Sequence, residues 1–317
     1  SYTPGVWYRR SDFDGAARTD AAGFTIGNKG YICGGYNGKT TRLADTWEYD
    51  IDNDWWTQRA DMPGTVRNAA TGFPVGNKGY ITTGYNPDQK YLADTWEYDP
   101  ETNTWRQMDD FKGGARYYAL GFGIDNYGYV GTGYNDNYLK DFYRFDPTAA
   151  AGSQWTIVNG FGGQKRQGAT AFVINGKAYV CGGQNNNSDV SDFWRFDPSA
   201  ATPWTQLRDI ANTSDDDYDD DYTSIVRSYG VSFVIDGKAY LTLGSTAGGS
   251  YYSNYWIYDP ETDLWEGDDL TAFEGSTRIH AVCFSTGTRG IIATGGSGSS
   301  SYFDDTWELK PYEYEEE

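Results

Sequence analysis

Six arginines, Arg18, Arg67, Arg116, Arg166, Arg227 and Arg278, stand 49, 49, 50, 61 and 51 residues apart, and each opens a segment with the same lettering. Three of these segments read "ARTDAAGFTIGNKGYICGG", "VRNAATGFPVGNKGYITTG" and "VRSYGVSFVIDGKAYLTLG". A period near fifty residues means an array of one supersecondary unit, because each unit must bury its apolar face against the next. The pattern inside the unit predicts four short strands. The first runs from the arginine to a phenylalanine six residues on, and the second is the K-G-Y run that ends at glycine. The third carries the "ADTWEYD" found at 44–50 and again at 93–99, with Trp47, Trp96, Trp194, Trp256 and Trp307 in column and Tyr143 substituting. The fourth begins at Trp56, Trp105, Trp155, Trp204 or Trp265, after tight turns such as "DPETNTW", in which proline presets the bend.

Composition agrees with an all-β chain: 17% of residues are aromatic and 40 are glycine, a mixture that favours strands and turns. Four antiparallel strands per unit, with sheets meeting face to face, predict a six-bladed β-propeller. The sixth unit reaches "DDTWELK" without a fourth strand, whereas Trp7 in "PGVWYRR" falls into the fourth-strand tryptophan column. The amino-terminal strand, about 5–11, is therefore expected to complete the last blade and close the ring into a single domain over 1–317. An acidic insertion, about 209–226, and an acidic tail, 310–317, stand outside the pattern and are expected to be solvated and disordered. The aspartates before the tryptophans, Asp45, Asp94, Asp141, Asp192 and Asp305, are expected to bond backbone amides where the third strands start.

Glycine pairs at 34–35, 182–183 and 295–296, each followed about a dozen residues later by tyrosine or tryptophan and then by a second tryptophan, resemble kelch repeats. The resemblance extends from Trp7 to Trp307, with Thr-Gly, Thr-Gly and Leu-Gly in place of Gly-Gly in blades two, three and five. It implies that the first strand is innermost and that the loops leading into it share a face with the loops after the glycines, the usual binding surface of such proteins. On that face the six arginines are expected around the channel mouth, with Tyr36, Tyr85 and Tyr134 directly after the glycines and Tyr91, Tyr138, Tyr251 and Tyr252 further along. Two readings stay open: a cup of guanidinium and aromatic groups suited to sugar rings and carboxylates, or arginines that pair with acidic neighbours and tie blade to blade. Two residues after the arginines stand Asp20, Ala69, Tyr118, Gly168, Tyr229 and His280, and four before the first and last stand Asp14 and Glu274. Ring closure would bring Asp14 to Glu274 and Asp20 to His280, a possible acid–base set.

A net charge of −20 argues against nucleic acid or an anionic membrane as partner, and no apolar run is long enough to span a bilayer. The three cysteines, Cys33, Cys181 and Cys283, have no metal spacing and are expected as buried free thiols. No cofactor is expected, although "DIDND" at 50–54 and "TSDDDYDDDY" at 213–222 leave calcium open. The leading expectation is a monomeric, non-catalytic propeller that recognises a glycan or a protein through the arginine and tyrosine face. The copper chemistry of galactose-oxidase-type kelch enzymes needs two histidines, and the chain has one. The enzymatic alternative is a mutarotase or epimerase like the six-bladed kelch-like enzyme acting on sialic acid, with Asp14, Asp20, Glu274 and His280 as candidate acids and bases. A cytosolic adaptor is the weakest reading. The composition resembles that of secreted or surface-exposed bacterial propellers, and with a start at Ser1 that fits a removed leader, an extracellular, cell-surface or periplasmic protein is expected.

Overall fold

The computed structural model describes residues 2–38, 41–267 and 269–316, all in strands, turns and loops. Six four-stranded antiparallel sheets form the blades. Blade one consists of Ala22–Ile26, Lys29–Tyr36, Arg42–Asp50 and Trp55–Arg59 in that order, and blades two to five repeat it. Blade six takes its first three strands from Val282–Ser285, Gly290–Ala293 and Thr306–Glu316 and its fourth from Tyr2–Arg9, as the tryptophan column predicted. Trp7 pairs with Leu309 and packs edge-on against Phe273 and Tyr255.

The phenylalanine of each first strand plays two parts. Across the hairpin it stacks on a tyrosine: Phe24 on Tyr31, Phe73 on Tyr80, Phe122 on Tyr129, Phe172 on Tyr179 and Phe233 on Tyr240, at interplanar angles of 20° or less. Sideways it enters the next blade at a small residue. A Cβ on Gly79 would lie 2.0 Å from the Phe24 ring, and one on Gly290 would lie 2.0 Å from Phe233. Close contact of neighbouring sheets therefore demands glycine there, and the blade-to-blade core forms around it.

Two expectations about the acidic segments are corrected. The tail is a strand: Thr306–Glu316 is continuous, and Tyr2, Thr3 and Pro4 pair with Glu316, Glu315 and Tyr314. Backbone pairing with the amino-terminal strand outweighs the repulsion among its glutamates. The insertion folds inward as well, because it carries apolar residues among its aspartates. Ile210, Tyr222 and Ile225 join the core beside Trp256 and Trp265, and the Tyr222 hydroxyl accepts the Trp265 amide at 2.9 Å. Buried Asp219 accepts the amides of Thr213 and Ser214. "DIDND" is a turn closed by Asp50 and Asp54. Cys33 and Cys181 are buried free thiols, and Cys283 is a free thiol at the channel wall.

Candidate functional site

The arginine column builds the scaffold. All six guanidinium groups are buried, at 0–1% exposure, and each sits in the same cage. Nε donates to the carbonyl two residues back, and Nη1 donates to the carbonyl sixteen residues on, from Gly34, Thr83, Thr132, Gly182, Leu243 or Thr294. These acceptors all lie at φ between 60° and 74°, which aims their carbonyls inward. Gly183 and its five counterparts follow at the next position, so blade six aligns through Thr294-Gly295 and the glycine pair at 295–296 is one residue out of register. The aspartates complete the cage. Arg18 meets Asp45, Arg67 meets Asp94, Arg166 meets Asp192 and Arg278 meets Asp305 at 2.5 to 2.6 Å, and Arg116 meets Asp141. Four of these carboxylates also accept the indole N–H of the tryptophan two residues on. Backbone amides are thus secondary partners, where they were expected to be the main ones: Asp192 takes the Gln164 amide, and Asp45, Asp94 and Asp305 take their own.

None of Arg18, Arg67, Arg116, Arg166, Arg227 and Arg278 therefore lines the mouth, and the cup of six guanidinium groups is corrected. The physical reason is valence: each guanidinium already spends its donors on carbonyls of its own blade and on a carboxylate or, for Arg227, the Asn254 amide oxygen. The tie between blades is made by the arginine main chain, whose carbonyl accepts the amide of the glycine in the preceding blade, from Gly35 to Arg67 round to Gly295 to Arg18, at 2.8 to 3.0 Å.

Two residues further on, a second ring closes around the axis. Asp20, Ala69, Tyr118, Gly168, Tyr229 and His280 all adopt φ between 53° and 71°. The amide of each donates to the carbonyl of its counterpart in the preceding blade, at 3.0 to 3.3 Å, and the circuit returns from Asp20 to His280. This geometry gathers four functional side chains at the centre. His280 Nδ1 lies 3.1 Å from Asp20 Oδ1. The imidazole stacks on Tyr118 at 4.9 Å and 19° and meets Tyr229 at 4.3 Å. The Tyr118 hydroxyl and Asn68 Nδ2 both donate to Asp20 Oδ2, and the Tyr229 hydroxyl accepts from Gln167 and Gln184. Burial pulls the His280 pKa below the ordinary histidine value, with Asp20 acting weakly the other way. Burial and the Asp20 charge hold the Tyr118 phenol well above its usual range. The pairing of Asp20 with His280 stands as the sequence placed it. Asp14 and Glu274 do not join them: both are exposed on loops and line none of the cavities described here.

Around this centre runs an arc of half-buried tyrosines. Tyr302 meets Tyr36 at 5.9 Å; Tyr85, Tyr91, Tyr117 and Tyr134 touch one another at 5.4 to 6.2 Å, and Tyr138 meets Tyr134 at 4.9 Å. Tyr36, Tyr85 and Tyr134 thus lie where the glycine register put them. Tyr252 instead covers the Arg227 guanidinium, and the Tyr251 hydroxyl accepts the Gly298 amide. Arg42 and Lys165, both cationic and both on this face, escaped the sequence reading. Arg42 lies 4.3 Å above the Tyr36 ring and 5.6 Å from that of Tyr85, and its Nε donates to Asn68. Among the described residues its partners there are neutral, which leaves its charge for an anion. Arg42 takes the column place held by Tyr91, Tyr138, Tyr251 and Tyr302 in four other blades, three residues before the third-strand aspartate or asparagine. Two cavities open along the arc. One of about 360 Å³ lies between blades six and one and is lined by Asp20, His280, Tyr36 and Tyr302. The other, of about 410 Å³, lies between blades three and four.

The kelch motif family matches residues 17–63, 75–112 and 165–207, and the blade order and columns extend the same unit around the ring. The chain is a six-bladed β-propeller that carries kelch motifs. Proteins called N-acetylneuraminate epimerase from Yersinia pestis and Yersinia pseudotuberculosis are 29% identical to this propeller over 164 residues, a stretch covering 43% of the chain and 41% of theirs. The chain thus matches less than half the length of those curated relatives. A solved structure described as that of YjhT superposes with a TM-score of 0.75 at 16% identity, covering 94% of this chain and 95% of that one, which supports the fold.

Proposed function

We propose that this kelch propeller binds a carbohydrate carrying a carboxylate on its tyrosine face. The observation that carries the reading is Arg42. It is a guanidinium with neutral partners, set between the rings of Tyr36 and Tyr85 beside a cavity large enough for one sugar. Flat aromatic surfaces take the apolar faces of sugar rings, and a guanidinium selects a carboxylate by bidentate bonding. The name of the Yersinia relatives, which concerns an acidic sugar, points the same way. Calorimetry with N-acetylneuraminate, glucuronate and their neutral counterparts tests it. Arg42→Ala is expected to weaken acidic-sugar binding about tenfold or more, the effect of losing a charge-assisted pair of roughly 1.5 kcal/mol or more. Equal affinity for acidic and neutral sugars would sink the acidic assignment.

A second reading is turnover at the same place, favoured by the contact between His280 and Asp20 in the wall of that cavity. Mutarotation needs a proton taken from the anomeric hydroxyl and another given to the ring oxygen, and then the reverse after the open chain rotates. A neutral imidazole is matched to that exchange. Proton NMR of anomer equilibration would show acceleration that His280→Gln abolishes. A wild-type protein that binds the sugar without accelerating the exchange leaves binding alone.

A further inference from the structure

We propose that the ligand is an oligosaccharide of three or more units lying along the tyrosine arc, from the cavity between blades six and one to that between blades three and four. This rests on the carbohydrate reading above and extends it from a single sugar to a chain. The two cavities lie on one face, because both are built from the loops after the second strands. Between them the surface is a nearly unbroken series of phenol rings. From Tyr85 through Tyr91 and Tyr117 to Tyr134 and Tyr138, successive centroids are 4.9 to 6.2 Å apart, and Arg42 links the series to Tyr36.

The far cavity has its own chemistry. Its wall is polar, with Asn185, Asn186 and Asn187 supplying amides, Lys165 supplying an exposed charge, and Tyr134 and Tyr138 supplying rings. Amides that both donate and accept suit sugar hydroxyls, which do the same. The Tyr91 hydroxyl donates to Asp136 at 2.9 Å, which fastens the middle of the arc to the loop that borders this cavity. A face so fixed before binding lets each added unit contribute stacking without a matching cost in order. A single sugar held by Arg42 would leave these rings and the far cavity in water, whereas a chain covers them.

A glycan array carrying acidic and neutral glycans of one to six units identifies the best-bound series, and calorimetry on that series and its shortened members supplies the affinities. A tetrasaccharide is expected to bind at least about tenfold more tightly than its monosaccharide, roughly 1.4 kcal/mol spread over the further stacked rings. Tyr138→Ala and Lys165→Ala are each expected to weaken the tetrasaccharide about fivefold more than the monosaccharide, with thermal melting confirming that both variants fold. Affinity independent of chain length, or far-cavity variants that weaken long and short ligands equally, overturns the proposal and leaves the acidic-sugar reading standing. An array on which no glycan of any length binds removes both.

Discussion

Arg227 differs from the other five column arginines in its company. Where they meet a carboxylate, it meets Asn254, whose Oδ1 accepts from Nη2 at 3.1 Å while its Nδ2 donates to Ser224. Burial without a counter-ion lowers the Arg227 pKa to about 10. Asn254→Asp would restore the arrangement of the other blades and is expected to raise stability by about 1–2 kcal/mol, read as a higher urea midpoint; a lower midpoint would mean that desolvating the new carboxylate outweighs the pairing. Arg166→Ala, by contrast, strands the buried Asp192 and is expected to cost about 3–5 kcal/mol, read as a lower urea midpoint. His280 gives a second prediction. It is the chain's single histidine, so one imidazole C2–H signal titrates in proton NMR, and burial places its midpoint below the unperturbed value of about 6.5. The unfolded chain then binds a proton at a pH where the folded one does not, so stability falls as pH drops from about 6.5 towards the folded value. A midpoint at or above 6.5 would show that Asp20 outweighs burial.

At the scale of the strand, the peg between blades sets the tolerance. Gly30, Gly79, Gly128 and Gly290 receive the preceding blade's phenylalanine, and Ala178 and Ala239 hold the same place in blades four and five. Gly79→Ala puts a methyl group 2.0 Å from Phe24 and is expected to cost about 1–3 kcal/mol as overpacking, measured by urea unfolding, whereas blades four and five show that a wider seam accepts it. Strands, blade number and closure were legible in the sequence because each rests on a residue recurring at fixed spacing. The role of the arginine column was not, although a signal for it was present: Asp45, Asp94 and Asp305 follow their arginines by the same interval as Asn254 follows Arg227. Two columns that keep one interval from blade to blade mark a pair, and a paired charge is not a binding charge. Arg42 is the opposite case. It is a lone arginine in a column that holds Tyr91, Tyr138, Tyr251 and Tyr302, a departure the sequence carried, and the pairing of Arg42 with Tyr36 and the approach of Asn68 from blade two bring it to the face.

A propeller is only as closed as the seam between its two chain ends, and here that seam is held by charge as well as by strand pairing. Glu308, in the third strand of blade six, is fully buried. It accepts from Arg10, just past the amino-terminal strand, and from Arg289 at the start of the second strand, and Lys310 lies 3.2 Å away. These cations outweigh the burial that opposes its ionisation and hold its pKa down to about 2. A carboxylate whose folded pKa is depressed stabilises the fold above its unfolded value near 4.5, and that contribution is lost as pH falls from there through about 2. The difference corresponds to roughly 3 kcal/mol, concentrated where the ends meet. The histidine effect begins near 6.5, so the two are separable on the pH axis. Both rings of backbone bonds around the axis pass through blades six and one, so loosening the seam should weaken every blade junction. Glu308→Gln is therefore expected to lower the urea midpoint at pH 7 and to flatten its decline between about pH 4.5 and 3. Deleting residues 1–10 should flatten the same limb, because it removes both the strand and Arg10. Acid limbs that run parallel in wild type and both variants would show that the seam's charges do not hold the ring.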